Sequence, residues 1–417
     1  MLRKILHRVN EGVHDMCYIW AQEMKMTIKD EGVLIFFILV PLFYPLLYSW
    51  IYNNEVVRDV PVAIVDMSHS QESRQFIRLY DASPNTKVAY HCTDMDDARD
   101  LMEKQVVHGI LYFPADFSNR LNRMEQTTVS VYCDMALMLT YKAIYQTAAA
   151  VQSEMNSAIQ IKLSGNYTDR EDEITTQPLA FEDVPIFNSA GGYGNFILPG
   201  VLILILQQTL LLGIGLSAGT AREKSRYKDL LSINKHYNGL FRIVLGKALC
   251  YAMIYAVMAA YITLVVPRLF HFTSMVNAAD LLGLLTPYIL ACVFFGMFVS
   301  CTVRYRENVM LLVVFTSLPL LFLAGVSWPQ NAIPGAWQGV SWLFPSTFGV
   351  RGFIRMNCMG ATLHDVGVEY RALWIQVVVY FFLACAVYQY QIQSARKHVL
   401  EAEKKKLEES TPSPEQS

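Results

Sequence analysis

The chain alternates between long stretches without charge and shorter stretches that are rich in charge. Asp, Glu, Lys and Arg are absent from residues 33–52, 195–218, 248–267, 281–303, 309–333 and 372–395. An α-helix needs about 20 apolar residues to cross the hydrocarbon core of a bilayer. A buried helix of a soluble protein rarely stays uncharged for that length, so the pattern predicts a polytopic α-helical membrane protein with six transmembrane helices.

Residues 1–32 show a different periodicity, that of an amphipathic helix. Apolar side chains recur at steps of three and four residues, at Val13, Met16, Cys17, Trp20, Met24 and Ile28. Such a helix either lies in the membrane interface or packs on the span that follows it. Residues 33–54 then form the first transmembrane helix.

Residues 55–190 contain no span-length apolar run. Short apolar runs at 60–67, 87–92, 108–113 and 127–132 alternate with segments of helical spacing. Strands that alternate with helices predict an α/β domain. At about 135 residues it is large enough to have its own core. We therefore expect an α/β extracytoplasmic domain inserted between the first and second spans.

The charges support this arrangement. Residues 55–186 carry 20 acidic and 11 basic residues, whereas the rest of the chain carries 16 and 23. Because basic residues favour cytoplasmic loops, the acidic block and the basic loops are expected on opposite sides of the membrane. Both termini are then cytoplasmic, including residues 1–32 and the basic tail 396–417.

Residues 191–395 are predicted to form a bundle of five transmembrane helices with two unusual connections. Residues 219–247 carry seven Lys and Arg and form a long cytoplasmic segment. Residues 323–352 are apolar but contain Pro329, Pro334 and Pro345, which prevent one continuous helix. Broken apolar sequence with several Trp residues is typical of a re-entrant segment at the membrane edge.

The chain shows no energy source of its own. The nearest match to the phosphate-binding pattern G-x-x-x-x-G-K-[ST] is Gly246-Lys247. The pattern needs Gly at position 241 and Ser or Thr at position 248, where this chain has Phe241 and Ala248. We therefore expect no ATP hydrolysis and no catalytic residue in this chain. The predicted spans also lack the ionisable residues that ion-driven carriers need, and no Cys/His spacing fits a zinc site. Cys92 and Cys133 could form a disulfide, which spacing alone does not decide.

Polar residues inside the spans are candidates for a translocation path. They are Gln207, Gln208 and Thr209 in the second span, Thr316 and Ser317 in the fifth, and Gln376 in the sixth. The alternative is that they form hydrogen bonds with neighbouring helices.

Four motifs together resemble the type-2 ABC-transporter permeases. VPVAIVDMSHSQESRQFI (60–77) is similar to the start of that family's external domain, and NFILPG (195–200) to the entry of its second span. Residues 221–247 resemble its coupling segment, although Ser225-Arg226-Tyr227 stands where many members have Glu-x-Gly-Thr. Residues 322–355 resemble its broken segment after the fifth span. The long external insert resembles the drug-efflux-like subgroup.

The resemblance implies a permease subunit of an ATP-driven exporter for a hydrophobic, drug-like or lipid-linked compound. It implies a bacterial cytoplasmic (inner) membrane, partner ATP-binding subunits that hold ATP and Mg, and a second permease subunit, identical or homologous. A periplasmic adaptor and membrane lipid are further expected partners, and nucleic acid is not. The residues expected to couple to the ATPase are Arg222, Glu223, Lys224, Arg226, Lys228 and Asp229. The alternative is a polytopic anchor that displays an α/β receptor or docking domain without transport.

Overall fold

The computed structural model describes most of the chain in two compact units. Its backbone covers residues 2–53, 56–165, 167–179, 184, 186–188, 191–223, 239–302 and 306–410, and its side chains cover 10–53, 56–165, 167–179, 184, 186–188, 191–220, 239–300 and 307–393. The helical unit comprises Met1–Asn53 and Ile186–Ser417, and the sheet unit comprises Asn54–Pro185.

The helical unit begins with a long helix, α1 (Leu2–Lys29), followed by α2 (Glu31–Leu34), a π-helical stretch (Ile35–Leu39) and α3 (Val40–Ile51). Asp30 separates the first two helices. Its carboxylate accepts the backbone N–H groups of Gly32 and Val33, which would otherwise lack partners at the start of α2.

The described residues of the sheet unit form four strands and five helices. They are β1 (Val60–Asp66), α4 (Gln71–Asp81), β2 (Thr86–Cys92), α5 (Met95–Glu103), β3 (Gly109–Phe113), α6 (Phe117–Asn122), β4 (Ser130–Cys133), α7 (Met138–Ser164) and α8 (Asp169–Thr176). The strand order is β2-β1-β3-β4, with β1 parallel to both neighbours and β4 antiparallel to β3. Ser70 and Asp94 start α4 and α5 by accepting backbone N–H groups.

Alternating side chains of β1 enter two separate cores, as the two-residue period of a strand requires. Val62 and Ile64 pack with α4 and α7, where Tyr80 and Ile144 are fully buried. Ala63 and Val65 face the opposite side, against α5. The continuous apolar run of β1 therefore reflects a central strand that is covered on both faces.

The disulfide left open by the sequence is not formed, because Cys92 and Cys133 are both free. Cys92 ends β2 and Cys133 ends β4, the two outer strands of the sheet. Two strands lie between them, and neighbouring strands are about 4.8 Å apart, so their separation exceeds the reach of a disulfide. Burial raises the pKa of the Cys133 thiol to about 11.

In the rest of the helical unit, the described residues form eight helices with short interruptions. They are α9 (Tyr193–Glu223), α10 (Leu240–Ala260), a π-helical stretch (Tyr261–Val265), α11 (Val266–Leu269), α12 (Ala278–Thr302), α13 (Arg306–Leu323), a 3₁₀ turn (Gln330–Ala332), α14 (Gly335–Ser341), α15 (Pro345–Met359) and α16 (Gly367–Ser410). Pro334 and Pro345 stand directly at helix starts, where a missing N–H costs nothing.

Five helical stretches among the described residues are long and apolar enough to cross a membrane. They are Glu31–Ile51, Tyr193–Thr220, Leu240–Leu269, Ala278–Ser300 and Gly367–Gln393. These stretches confirm a multi-pass membrane protein. The predicted span at 309–333 differs, because its apolar helix covers only Glu307–Leu323. That helix ends before Gly325, whose φ of 85° is left-handed and incompatible with helix continuation.

Helix α9 lies at the centre of the helical unit. It contacts α12, α13, α15 and the segments of the first span, and 83% of its apolar stretch is buried, against 28% for Glu31–Ile51. Two glycines permit this close packing. A Cβ at Gly213 would lie 2.3 Å from the Phe37 ring, and one at Gly215 would lie 2.3 Å from Val309.

Candidate functional site

The first polar site of the helical unit surrounds the break between α14 and α15. Gln207 on α9 is 1% exposed, and its Oε1 accepts the backbone N–H of Ser346 at 2.6 Å. Ser346 is the second residue of α15, where a backbone N–H has no partner within the helix. Cys292 Sγ lies 3.8 Å from the same oxygen. Gln207 therefore caps a helix that starts inside the protein.

Helix α16 binds the other side of this break. Gln376 Nε2 donates to the carbonyl of Trp342 at 2.7 Å. One turn further along, the Tyr380 hydroxyl donates to the carbonyl of Leu343. These carbonyls follow the end of α14, where no further helical N–H is available to them. The break is thus held by α9 on one side and by α16 on the other.

The other predicted path residues do not join this site. Thr209, Thr316 and Ser317 each donate to a carbonyl of their own helix, at 2.7 to 2.8 Å. Gln208 is 8% exposed, and neither atom of its amide has a hydrogen-bond partner among the described residues. Of the six residues, the structure brings only Gln207 and Gln376 to a common feature.

A second polar site joins α1 to the first turns of α10. Glu23 Oε2 lies 2.9 Å from Lys247 Nζ, and its side chain is 3% exposed. The Tyr251 hydroxyl donates to the other oxygen of the Glu23 carboxylate. Two turns nearer the start of α1, Asp15 Oδ2 lies 2.6 Å from Arg242 Nη1. We call these five residues the α1–α10 ion-pair cluster.

This cluster lies at the end of the predicted cytoplasmic segment 219–247. Residues 240–247 of that segment are helical and belong to α10. Arg242 and Lys247 bind acidic side chains of α1 there. The amphipathic helix packs mainly on α10, and it also contacts α2 at the start of the span that follows it.

The sequence contains a signal for this cluster besides the recurrence of apolar residues along residues 1–32. Asp15 and Glu23 lie on the same stripe of α1 as Met16, Trp20 and the buried Ile19. An acidic residue within an apolar stripe indicates a buried partner of opposite charge.

The side chains of the predicted ATPase-coupling residues lie outside the residues that the structure describes. The side chains of Arg222 and Glu223, and the whole of Lys224, Arg226, Lys228 and Asp229, are outside the described residues. Arg222 and Glu223 are the last two residues of α9, and the other four lie along the chain between α9 and the start of α10.

Comparison with known proteins agrees with this architecture. Residues 32–386 match the family model described as ABC-2 family transporter protein. The chain is 21% identical over 349 residues to the probable multidrug ABC transporter permease YbhR of Escherichia coli K12, covering 80% of this chain and 86% of that protein. A shorter stretch of 69 residues is 39% identical to nodulation protein J of Rhizobium meliloti, covering 16% of this chain and 26% of that protein.

Proposed function

Because the chain belongs to the ABC-2 family of transporter proteins, we propose that this membrane subunit exports its substrate from the cytoplasm or the inner leaflet. The proposed substrate is a small hydrophobic, drug-like molecule or a lipid-linked compound. The similarity to a probable multidrug permease supports this class. ATP is hydrolysed by a separate ATP-binding subunit, the partner that membership of this family implies.

The proposed topology has six spans in a bacterial inner membrane, with both termini cytoplasmic and residues 55–190 outside. Helix α13 is the shortest span, with its apolar part at Glu307–Leu323. Seventeen helical residues extend over about 26 Å, which is at the lower limit for crossing a bilayer. The excess of basic residues outside 55–186 supports this orientation.

The observation that carries the coupling mechanism is the α1–α10 ion-pair cluster. Because Asp15 and Glu23 bind the first turns of α10, a displacement of that helix end also moves α1. Residues 222–229 begin with the last residues of α9 and continue along the chain towards α10, so a force applied there acts on both helix ends. We propose that ATP-driven closure of the ATP-binding subunits pushes on this segment, with α1 and α10 moving as one rigid body.

The same movement reaches the helix break through α9. A displacement of α9 relative to α16 would change the distance between Gln207 and Gln376, which hold opposite sides of the break. We propose that the translocation path passes this break. Gln208 is the proposed path residue most available to a substrate, since its buried amide has no partner among the described residues.

Charge reversal of the coupling segment tests this proposal. The variant replaces Arg222, Lys224, Arg226 and Lys228 by Glu. The assay measures efflux of a fluorescent drug-like dye from cells that also produce the ATP-binding subunit. We expect efflux to be lost while the amount of protein in the membrane is unchanged. The matched control reverses Lys404, Lys405 and Lys406 in the tail and should retain efflux. Equal efflux in both variants would refute the proposed coupling site.

The proposed partners are tested by purification of the intact complex. A second permease subunit and the ATP-binding subunit should co-purify, and dye should stimulate ATP hydrolysis by the complex. A periplasmic adaptor would be recovered only from cells in which residues 55–190 are intact. If no ATP-binding subunit co-purifies and no dye moves, a membrane anchor displaying the sheet unit is the better interpretation.

A further inference from the structure

One edge of a charged side chain in α15 is buried without a hydrogen-bond partner among the described residues. The Nε and Nη2 atoms of Arg351 are inaccessible to solvent, and neither has a hydrogen-bond acceptor among the described residues. The residue as a whole is half-buried, so part of the side chain still reaches the surface of the helical unit. A guanidinium keeps its charge at every physiological pH, and burying it without an acceptor is costly.

The acidic groups near this end of α15 already have partners. Both oxygens of Glu369 accept from Nη1 of Arg355, at 3.2 and 3.3 Å. The carboxylate of Asp365 accepts the backbone N–H and the hydroxyl of Thr362, at 2.9 and 2.7 Å. Arg351 and Arg355 are one helical turn apart, so they share one face of α15. Of the two guanidinium groups on this face, only that of Arg355 is hydrogen-bonded to Glu369 among the described residues.

The two unpartnered donors of Arg351 have a specific geometry. Nε–H and Nη2–H form one edge of the planar guanidinium and point in the same direction. That edge matches the spacing of two oxygens of a phosphate or a carboxylate and binds them through two parallel hydrogen bonds. The chemistry that suits this edge is therefore an oxyanion, not a neutral acceptor.

The burial of the edge favours a small ligand over a second protein chain. Nε and Nη2 are covered by residues of this chain, so an acceptor reaches them only by displacing the side chains that cover them. A headgroup or the acidic group of a small amphiphile can insert between these side chains with its apolar part in the membrane. A carboxylate on another folded subunit would have to extend past the side chains that cover the edge.

We propose that Arg351 binds the phosphate or carboxylate of an amphiphile, with Arg355 adding positive charge to the same face. The amphiphile that presents this chemistry to the helical unit is an anionic bilayer lipid. The inference does not depend on the proposed export function, since binding can be measured on the permease without ATP.

The test is native mass spectrometry of the full-length protein in detergent. The probes are phosphatidylglycerol, diacylglycerol with the same acyl chains, and inorganic phosphate. We expect phosphatidylglycerol to bind, and Arg351→Gln to weaken its binding by about tenfold or more, as loss of a charge-assisted bidentate contact implies. Arg351→Lys keeps the charge but cannot form two parallel hydrogen bonds, and it should give an intermediate affinity. Arg371→Gln is the control, because Arg371 is exposed and bonds to its own helix.

A second variant protects the test against misfolding of Arg351→Gln. Glu369→Gln removes the acid that competes for both arginines and should strengthen binding of phosphatidylglycerol. Tight binding of inorganic phosphate alone would identify a soluble anion as the ligand. Equal binding of phosphatidylglycerol and diacylglycerol, or equal losses in Arg351→Gln and Arg371→Gln, would overturn the proposal. So would a shift from dimer to monomer in Arg351→Gln with unchanged lipid binding, which would assign the edge to a second subunit.

Discussion

Removing the charge of Glu23 should destabilise the helical unit strongly, although the substitution is small and lies outside the predicted spans. Glu23→Gln keeps the shape of the side chain and leaves an acceptor for Tyr251. It leaves Lys247, whose side chain is only 17% exposed, without the carboxylate that lies 2.9 Å from its Nζ. The cost therefore comes mainly from a partly buried positive charge that has lost the carboxylate of Glu23.

The distances and burial set the expected magnitude. At 2.9 Å and an effective dielectric constant of about 20, two unit charges attract by roughly 6 kcal/mol. Loss of hydration offsets much of that attraction, and removing one partner of a buried pair costs about 3–5 kcal/mol. Because Lys247 retains some contact with solvent, we expect about 3 kcal/mol for Glu23→Gln. Glu23→Gln combined with Lys247→Met removes both charges and should recover about 2 kcal/mol of this.

The assay is a double-mutant cycle in mixed micelles. Unfolding is induced by SDS and followed by circular dichroism for the wild type, the two single variants and the double variant. Glu31→Gln is the control, since Glu31 is an exposed acid at the start of α2. Its cost should stay below about 1 kcal/mol, the usual effect of a charge at a helix end. A coupling energy between Glu23 and Lys247 below about 0.5 kcal/mol would refute the reasoning.

Two further predictions address other hydrogen bonds of known geometry. Gln207→Leu removes the acceptor of the buried Ser346 N–H and should lower the free energy of unfolding by about 1–3 kcal/mol in the same SDS assay. Gln208→Leu removes an amide that has no partner among the described residues and should be neutral or stabilising. Equal effects of the two substitutions would contradict the capping role of Gln207. Ser118 Oγ donates to Glu72 at 2.8 Å and lowers the pKa of that carboxyl below its ordinary 4.5. The bond stabilises the sheet unit above that pH, and this stabilisation is lost as the pH falls through the lowered pKa. Ser118→Ala should therefore reduce the melting temperature near neutral pH and reduce it progressively less in acid. A reduction that does not depend on pH would exclude the Ser118–Glu72 bond as its cause.

The spans were predictable because their physical signal is local. A run of about 20 uncharged residues has few stable environments other than a bilayer, and no knowledge of neighbouring helices is needed to recognise it. The exception, residues 324–333, shows the limit of that signal. Hydropathy does not distinguish an apolar helix from an apolar turn, and the conformation of Gly325 ends the helix without any change in polarity.

The polar sites were only partly predictable because their meaning depends on partners distant in sequence. Gln207 was a candidate from its polarity alone, but its role as a cap depends on Ser346, 139 residues further along the chain. Glu23 lies in the predicted amphipathic helix 1–32 and Lys247 in the predicted coupling segment 219–247, and pairing between them could not be read from either segment. The unpartnered edge of Arg351 required the packing of α15 to be known.

The burial of α9 has a consequence for how the protein would respond to its lipid environment. Helices at the margin of the helical unit present large apolar faces to their surroundings, so a thinner or thicker bilayer acts on them directly. Helix α9, which leads to the segment expected to meet the ATPase, has 83% of its apolar stretch covered by this chain. Hydrophobic mismatch would therefore reach it only through neighbouring helices. The element proposed to carry mechanical work is thereby shielded from variation in membrane thickness, and transport should depend less on acyl-chain length than the stability of the outer helices does.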